Sequence, residues 1–386
     1  MIYLDNGATS FPKPENVIKA ACDTIINGAG TPGRGTHEKA LLAGNIVEQV
    51  RRETARFFGV LEDFRVAFTY SATDALNLGI KGFVNKGDKV LMSQMEHNSV
   101  SRQLLRMARD KFIDLEIVSC DAKGYLDMDD LYRKVTADTR LVVLNHASNV
   151  TGALQDIETA GSIIRDKGSY LLLDAAQSAG RVDINLKDMP VDMLAFAGHK
   201  GLYGLQGTGG LIINDRAENI RPFREGGTGF DSAAEIQPAA WPEAFEAGTH
   251  NVAGIVSMGE GIKFIKETGI EKINAVEKKW VEEIRKFLSS YDEITIHSPD
   301  SDERSVAILS FTVKGWDAED IGNILSGNFG VSVRTGLQCA PLAHKCIGTY
   351  PAGTVRVSPG YFTKDKDIQI FCKGMQTIAE TLVPVY

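Results

Sequence analysis

Lys200 lies in the stretch AFAGHKGLYGLQGTGG, one lysine and one histidine in an apolar, glycine-rich surround. A dry surround lowers a lysine's pKa and leaves part of it neutral, the state that a nucleophilic or Schiff-base lysine needs. A lysine snorkelling from a strand end would have the same local sequence. Asp174, in YLLLDAAQSAG, sharpens the choice. It closes a strongly apolar run, so its carboxylate is sheltered and needs a partner. A protonated pyridine nitrogen, as in pyridoxal 5'-phosphate (PLP), would supply one and would let the ring act as an electron sink. Capping of a following helix is the other use of such an acid.

TYSATDALN passes from a strand straight into a helix, with Ser71, Ala72 and Thr73 at the turn. Exposed N–H groups and the helix dipole suit a phosphate there, as they suit ordinary N-capping. His97, in SQMEHNS, again follows a strand; it could stack on a flat ring and shuttle protons, or be a satisfied core histidine. Cys339, in VRTGLQCAPLAHKC, is a candidate nucleophile in a loop marked by Gly336 and Pro341, with the cation of Arg334 close in sequence. Metal binding by Cys339, His344 and Cys346 matches no common zinc spacing, and no metal is expected. Arg356, in TVRVSPG, needs a counter-ion, which a substrate carboxylate or a structural salt bridge could provide.

These residues need elements to position them. Short β-branched and aliphatic runs recur (RVAFTY, KVLMSQ, LEIVSC, RLVVLNH, YLLLDA, MLAFAG, GGLIIN), with helix-like segments such as TDALNLGIKGF and IETAGSIIRDKG between several of them. Continuous apolar strands alternating with helices predict an α/β fold with a mostly parallel sheet covered on both faces. Right-handed crossovers then align the strand C-terminal ends along one edge, where open α/β sheets bind ligands. The residues just after those strands are the ones to read for chemistry: Ser71 to Thr73, Glu96 to Asn98, His146 to Asn149, Asp174 to Gln177, and His199 with Lys200. A long helix is expected over roughly 254–291, followed by the strand-like SVAILSFTV, a helix around DAEDIGNILSG, and GVSVRTGLQCAP and TVRVSPGYF. That mixture predicts a smaller α+β domain of residues 250–386 completed by 1–15, beside a large domain of 16–249.

Size and composition set outer bounds. At 386 residues, two domains are the expectation. A net charge of −8 with no basic stripe argues against nucleic acid as partner. No apolar run approaches bilayer length and MIYLDNGATS has no signal-peptide pattern, so no membrane partner is expected. Five scattered cysteines form no disulfide framework, which fits a reducing cytoplasm. The glycines of GLYGLQGTGG spell neither GxGxxG nor a P-loop, so nicotinamide and nucleotide readings lose their usual support.

Taken in order, YLDNGATS, YSATDALN, EHNS, NHASNVTG, DAAQSAG, GHKGLYGLQGTGGL, FEAGTHN, RTGLQCAP and VRVSPGYF resemble the cysteine desulfurase and selenocysteine lyase family. These are fold-type I PLP enzymes of the class V aminotransferase group. The resemblance spans Leu4 to about Phe362. It implies that Lys200 carries the cofactor, Asp174 partners the ring nitrogen, Gln177 reaches the phenolic oxygen with Asn149 nearby, and His97 stacks on the ring. It implies that Ser71, Ala72, Thr73 and His199 surround the phosphate. Thr249 would reach the phosphate of a neighbouring subunit, hence a homodimer. Arg356, with Arg334 and Asn149, would hold the carboxylate of an amino-acid substrate. Cys339 would take sulfur from L-cysteine as a persulfide, leaving L-alanine, and its compact loop implies a sulfur-acceptor protein. Selenocysteine, or another amino acid in an aminotransferase-like reaction, is the alternative substrate. Ala72 and Ala197 offer no hydroxyl to the phosphate.

Overall fold

In the computed structural model, which describes residues 1–28, 30–33, 35–300 and 304–381, an N-terminal strand β1 (Ile2–Tyr3) leads to helices α1 (Glu15–Asn27) and α2 (Glu38–Phe57). Then come β2 (Val66–Thr69), α3 (Ala72–Phe83), β3 (Lys89–Ser93), α4 (Asn98–Arg109), β4 (Asp114–Val118) and α5 (Met128–Lys134). They are followed by β5 (Thr139–Asn145), α6 (Ile157–Asp166), β6 (Tyr170–Asp174), β7 (Met193–Ala197) and β8 (Gly209–Ile213). The later part comprises α7 (Val252–Thr268), α8 (Ile270–Leu288), β9 (Ile294–Ile296), β10 (Leu309–Val313), α9 (Ala318–Phe329) and β11 (Val331–Ser332). The last elements are β12 (Arg334–Gly336), α10 (Pro341–Cys346), β13 (Thr354–Val357) and α11 (Asp365–Glu380).

Seven strands form one sheet in the order β2-β8-β7-β6-β5-β3-β4. β8 alone runs against the others: it is antiparallel to both β7 and β2, while the remaining pairs are parallel. The C-terminal ends of β2, β3, β5, β6 and β7 therefore share one edge. Burial explains why these strands read as continuous apolar runs. Leu171 and Leu173 enter the core on one face of the sheet and Leu172 enters the core on the other, all three fully buried. Each such side chain contributes about 1.5–3 kcal/mol.

A second, four-stranded antiparallel sheet, β12-β13-β10-β9, packs with α8, α9 and α11 around Phe311, Phe371 and Leu325. β1 pairs in parallel with β11, so the N-terminus joins this part. The single helix expected over 254–291 is two helices. Gly269 (φ 91°) ends α7, and its N–H closes on Ile265 O. The two halves serve different cores: Ile262 and Ile265 pack with the large sheet, whereas Trp280 and Ile284 pack with the small one. An apolar stripe that continues across a break is indistinguishable by period from one long helix.

α7 lies against the turn that follows β7. A Cβ on Gly261 would come within 1.9 Å of Leu202 O, so only glycine permits that approach. The turn is closed by Tyr203 N–H to Lys200 O and Gly204 N–H to Gly198 O. Lys200 is thus fixed between a sheet edge and a helix.

Candidate active site

Along the shared edge a cavity of about 200 Å3 is bordered by the ends of four parallel strands and the start of α3. Ser71 caps α3, its hydroxyl accepting from Asp74 N at 3.1 Å, which leaves Ala72 and Thr73 at the exposed first turn facing the cavity. Gly209 of β8 makes room for this turn, since a Cβ there would stand 2.6 Å from Ser71 C. Thr73 Oγ1 meets Ser99 Oγ at 2.7 Å, and the same hydroxyl meets His97 Nδ1 at 2.7 Å. Ser99 N–H also donates to His97 Nδ1, so that nitrogen is the acceptor and the ring proton resides on Nε2. Burial, with Lys200, Arg102 and Arg356 nearby, lowers the His97 pKa to about 4. The ring is neutral at pH 7, as a stacking surface should be.

Asp174 ends β6, with Oδ1 accepting from Ala176 N at 2.9 Å. Burial raises its pKa, against the pull of that bond and of Lys200. Lys200, which lines the same cavity and whose amine makes no hydrogen bond among the described residues, is lowered to about 8 by burial, with Asp174 acting in the other direction. His199 also lines the cavity, its Nδ1 3.1 Å from Thr9 Oγ1. Gln177 borders the cavity too, but its amide is engaged: Nε2 donates to Gly7 O at 2.8 Å and Oε1 accepts from Arg181 at 3.1 Å. The N-terminal segment thereby lies against the site.

Asn149, a further wall residue, joins two regions. Its carbonyl accepts from Arg356 Nη1 at 2.8 Å, and its Nδ2 donates to Gln338 O at 2.7 Å, next to Cys339. Arg356, buried on β13, also binds Asp5 Oδ1 through Nη2 at 2.7 Å, so a structural counter-ion is present. Its Nε is buried without a hydrogen-bond partner, and Arg356 is not among the residues that line the cavity. Cys339 is exposed in the loop between β12 and α10, outside the cavity wall. Arg334 stands opposite Arg356 across the β12–β13 pair and is exposed. Thr249 lies away from the cavity, where its carbonyl accepts from Tyr70 OH and it borders a surface groove with Thr31 and Pro32.

Sequence reasoning passed over Asp5 and Ser99 and named Glu96 only at a strand end, without a role. Asp5 had no visible tie to Arg356. Glu96 is fully buried, holds Ser93 Oγ and Asn145 N on Oε1, and has its pKa raised to about 8, chiefly by burial. An acid directly before His97 in QMEHNS was the available signal. Ser99, two residues after His97, was equally readable.

The donor set fits PLP. An anion-ready helix start, a neutral imidazole, a lysine with a lowered pKa and a sheltered acid converge on one cavity, and Lys200 has no protein partner that would have to be displaced. Such a site, at the carboxyl edge of a sheet with one reversed strand, belongs to the PLP-dependent transferase class of fold. The class V aminotransferase family matches residues 2–371. A probable cysteine desulfurase of Methanothermobacter thermautotrophicus is 32% identical over 98% of this chain and 94% of its own length. One from Pyrococcus abyssi is 32% identical over 99% and 95%. The apo structure of a cysteine desulfurase from Thermococcus onnurineus superposes with a TM-score of 0.92 at 31% identity, covering 99% of this chain and 95% of that one. The Escherichia coli cysteine desulfurase CsdA shares the fold, with a TM-score of 0.89 at 24% identity and coverage of 99% and 95%. The chain belongs to the class V aminotransferase family, in its cysteine desulfurase branch.

Proposed function

We propose that the protein is a PLP-dependent cysteine desulfurase that converts L-cysteine to L-alanine and collects the sulfur on Cys339. The observation that carries this reading is the linkage through Asn149, one wall residue bonded both to Arg356 and to the backbone beside Cys339. A carboxylate anchor and a thiol acceptor are thereby referenced to the cavity that contains Lys200.

When bound, PLP supplies an electron sink that acidifies the substrate's α-carbon and weakens its C–S bond. Asp174 would keep the ring nitrogen protonated. Lys200 would hold the cofactor and, when free, move the proton at the substrate's α-carbon. The first-turn N–H groups of α3, with Thr73, would bind the phosphate. His97 would cover the ring, with Gln177 and His199 beside it. Arg356 would bind the substrate carboxylate, its Nε being the guanidinium nitrogen without a partner, with Arg334 adding positive potential from the neighbouring strand. The Cys339 thiolate attacks the substrate sulfur; the S–S bond forms, the C–S electron pair stays with Cβ, and that carbon takes a proton to give alanine.

The exposure of Cys339 suits delivery of sulfur to an acceptor protein. The place of Thr249, outside its own cavity on a surface groove, suits a homodimer in which it serves the partner's phosphate. Two domains, 16–249 and 250–386 with 1–15, agree with the separate core of the small sheet, although α7 packs with the large one. Among the described residues no helix is long and apolar enough to cross a membrane, and a cytoplasmic enzyme with free thiols is consistent with that. Selenocysteine is a near-isostere that the same site would accept. The test is Cys339→Ser assayed with cysteine and selenocysteine in parallel. Sulfide release from cysteine should disappear while the bound cofactor's visible absorbance persists; unchanged release would falsify the assignment.

A further inference from the structure

Cys339 and the residue before it both adopt left-handed backbone, Gln338 at φ 40° and Cys339 at φ 58°. Ala340 N–H closes on Leu337 O at 2.8 Å, so the two form the tip of a tight turn of the mirror-image kind that favours Asn-Gly. Each non-glycine residue in this region costs about 1 kcal/mol or more. Two in succession require compensation, and the surroundings provide it.

Gln338 is buried and its amide is fully engaged. Nε2 donates to Thr354 O at 3.0 Å, which fixes the amide's orientation. Oε1 accepts from Thr354 Oγ1 at 3.3 Å and faces His344 Nε2 at 2.8 Å. The ring proton of His344 must therefore be on Nε2, and Nδ1 accepts from Thr349 Oγ1 at 2.7 Å. His344 is completely buried, and its pKa is lowered to about 4, mainly by burial, so the imidazole is a neutral donor. Two backbone ties then dock the turn on the active site: Asn149 Nδ2 to Gln338 O, and Asn98 N–H to Cys339 O at 2.8 Å, beside His97. Neither Gln338 nor His344 lines the cavity.

We infer that Gln338 and His344 are positioning residues: the hydrogen bond between them holds the strained turn that presents the Cys339 thiol to the substrate sulfur. The inference rests on Cys339 being the sulfur acceptor. Loss of the bond leaves cofactor and carboxylate binding intact and lets the turn relax away from the site, so that sulfur transfer alone slows.

The test uses the holoenzyme of His344→Ala, His344→Gln and Thr349→Val. In His344→Ala, persulfide formation on Cys339 in a single turnover, read by mass spectrometry, should fall about tenfold, a rise of about 1.4 kcal/mol in the barrier. KM for cysteine and the cofactor absorbance should hold, while amide exchange over 337–346 should quicken. His344→Gln keeps an N–H donor and should recover most of the rate. Thr349→Val removes only the hydroxyl behind the ring and should give a smaller fall, which keeps the test decisive if His344→Ala does not fold. Unchanged persulfide formation, unchanged exchange across the turn, or loss of cofactor binding together with rate would each overturn the inference. Full sulfide release by Cys339→Ser would instead remove the acceptor assignment beneath it.

Discussion

The neutral amine of Lys200 provides the most direct quantitative check on the site. An ordinary lysine with a pKa of 10.5 is neutral in only about three molecules in ten thousand at pH 7. Burial brings Lys200 to about 8, so about a tenth is neutral, a gain of about 300-fold in the form able to attack an aldehyde. Asp174 and Asp5 hold that value up, whereas Arg356 and Arg181 press it down with burial. Replacing Asp174 with Asn removes a negative neighbour, so the lysine pKa should fall below about 8. Two consequences separate in the apoprotein. The rate of PLP capture in wild type should climb with pH and level off near 8, and in Asp174→Asn the plateau should begin at lower pH. The affinity should move the other way, because the ring nitrogen loses a charge-assisted hydrogen bond worth about 1.5–3 kcal/mol, which weakens binding roughly tenfold to a hundredfold. Stopped-flow absorbance gives the rate, and equilibrium titration gives the affinity. A capture profile with the same break in both proteins, or unaltered affinity, would show that Asp174 does not face the amine and the ring as argued.

Arg356→Lys retains a charge for Asp5 but loses the planar edge at Nε, so kcat/KM for cysteine should drop about tenfold to a hundredfold. Cysteamine, which has no carboxylate, should be turned over equally by both proteins; equal losses for the two substrates would remove the carboxylate role. Glu96 is an acid raised to about 8 by burial, so between its unfolded pKa and that value it is protonated in the folded chain and ionised in the unfolded one. Its contribution to stability is present at low pH and lost at roughly 1.4 kcal/mol per pH unit as pH rises through this window. Denaturation of Glu96→Gln at pH 5 and pH 8 should show a flatter dependence than wild type, and parallel dependences would mean that Glu96 is ionised in the fold.

The cofactor cradle was legible because its parts are local. Ser71, His97, Asp174 and Lys200 each follow an apolar run, and parallel strands place successive run-ends on one edge whatever the loops between them do. The reversal of β8 changed nothing in that argument, since β8 enters the edge with Gly209 and contributes room for the Ser71 turn. Contacts between distant segments were hidden. Asp5 meets Arg356 across 351 residues, and no spacing rule connects them. The Gln338–His344 pair is close in the chain, yet its meaning depends on Thr354 and on the backbone of Cys339, which the letters LQCAPLAHKC do not disclose. Glu96 stands out only as part of a strand-end group and without a role, because residue type reveals an acid and only packing reveals its complete burial.

The two kinds of chemistry in the site accordingly have different structural origins. The proposed cofactor site lies at the sheet edge, where strand direction alone brings the residues together. The proposed sulfur acceptor lies on a turn outside that sheet, strained at Gln338 and Cys339 and held by side chains from β13, α10 and the loop after it. Asn149 spans the junction, its backbone carbonyl toward Arg356 and its side-chain amide toward Gln338. A change confined to the Cys339 turn can therefore alter sulfur transfer while the cradle around Lys200 stays as it is.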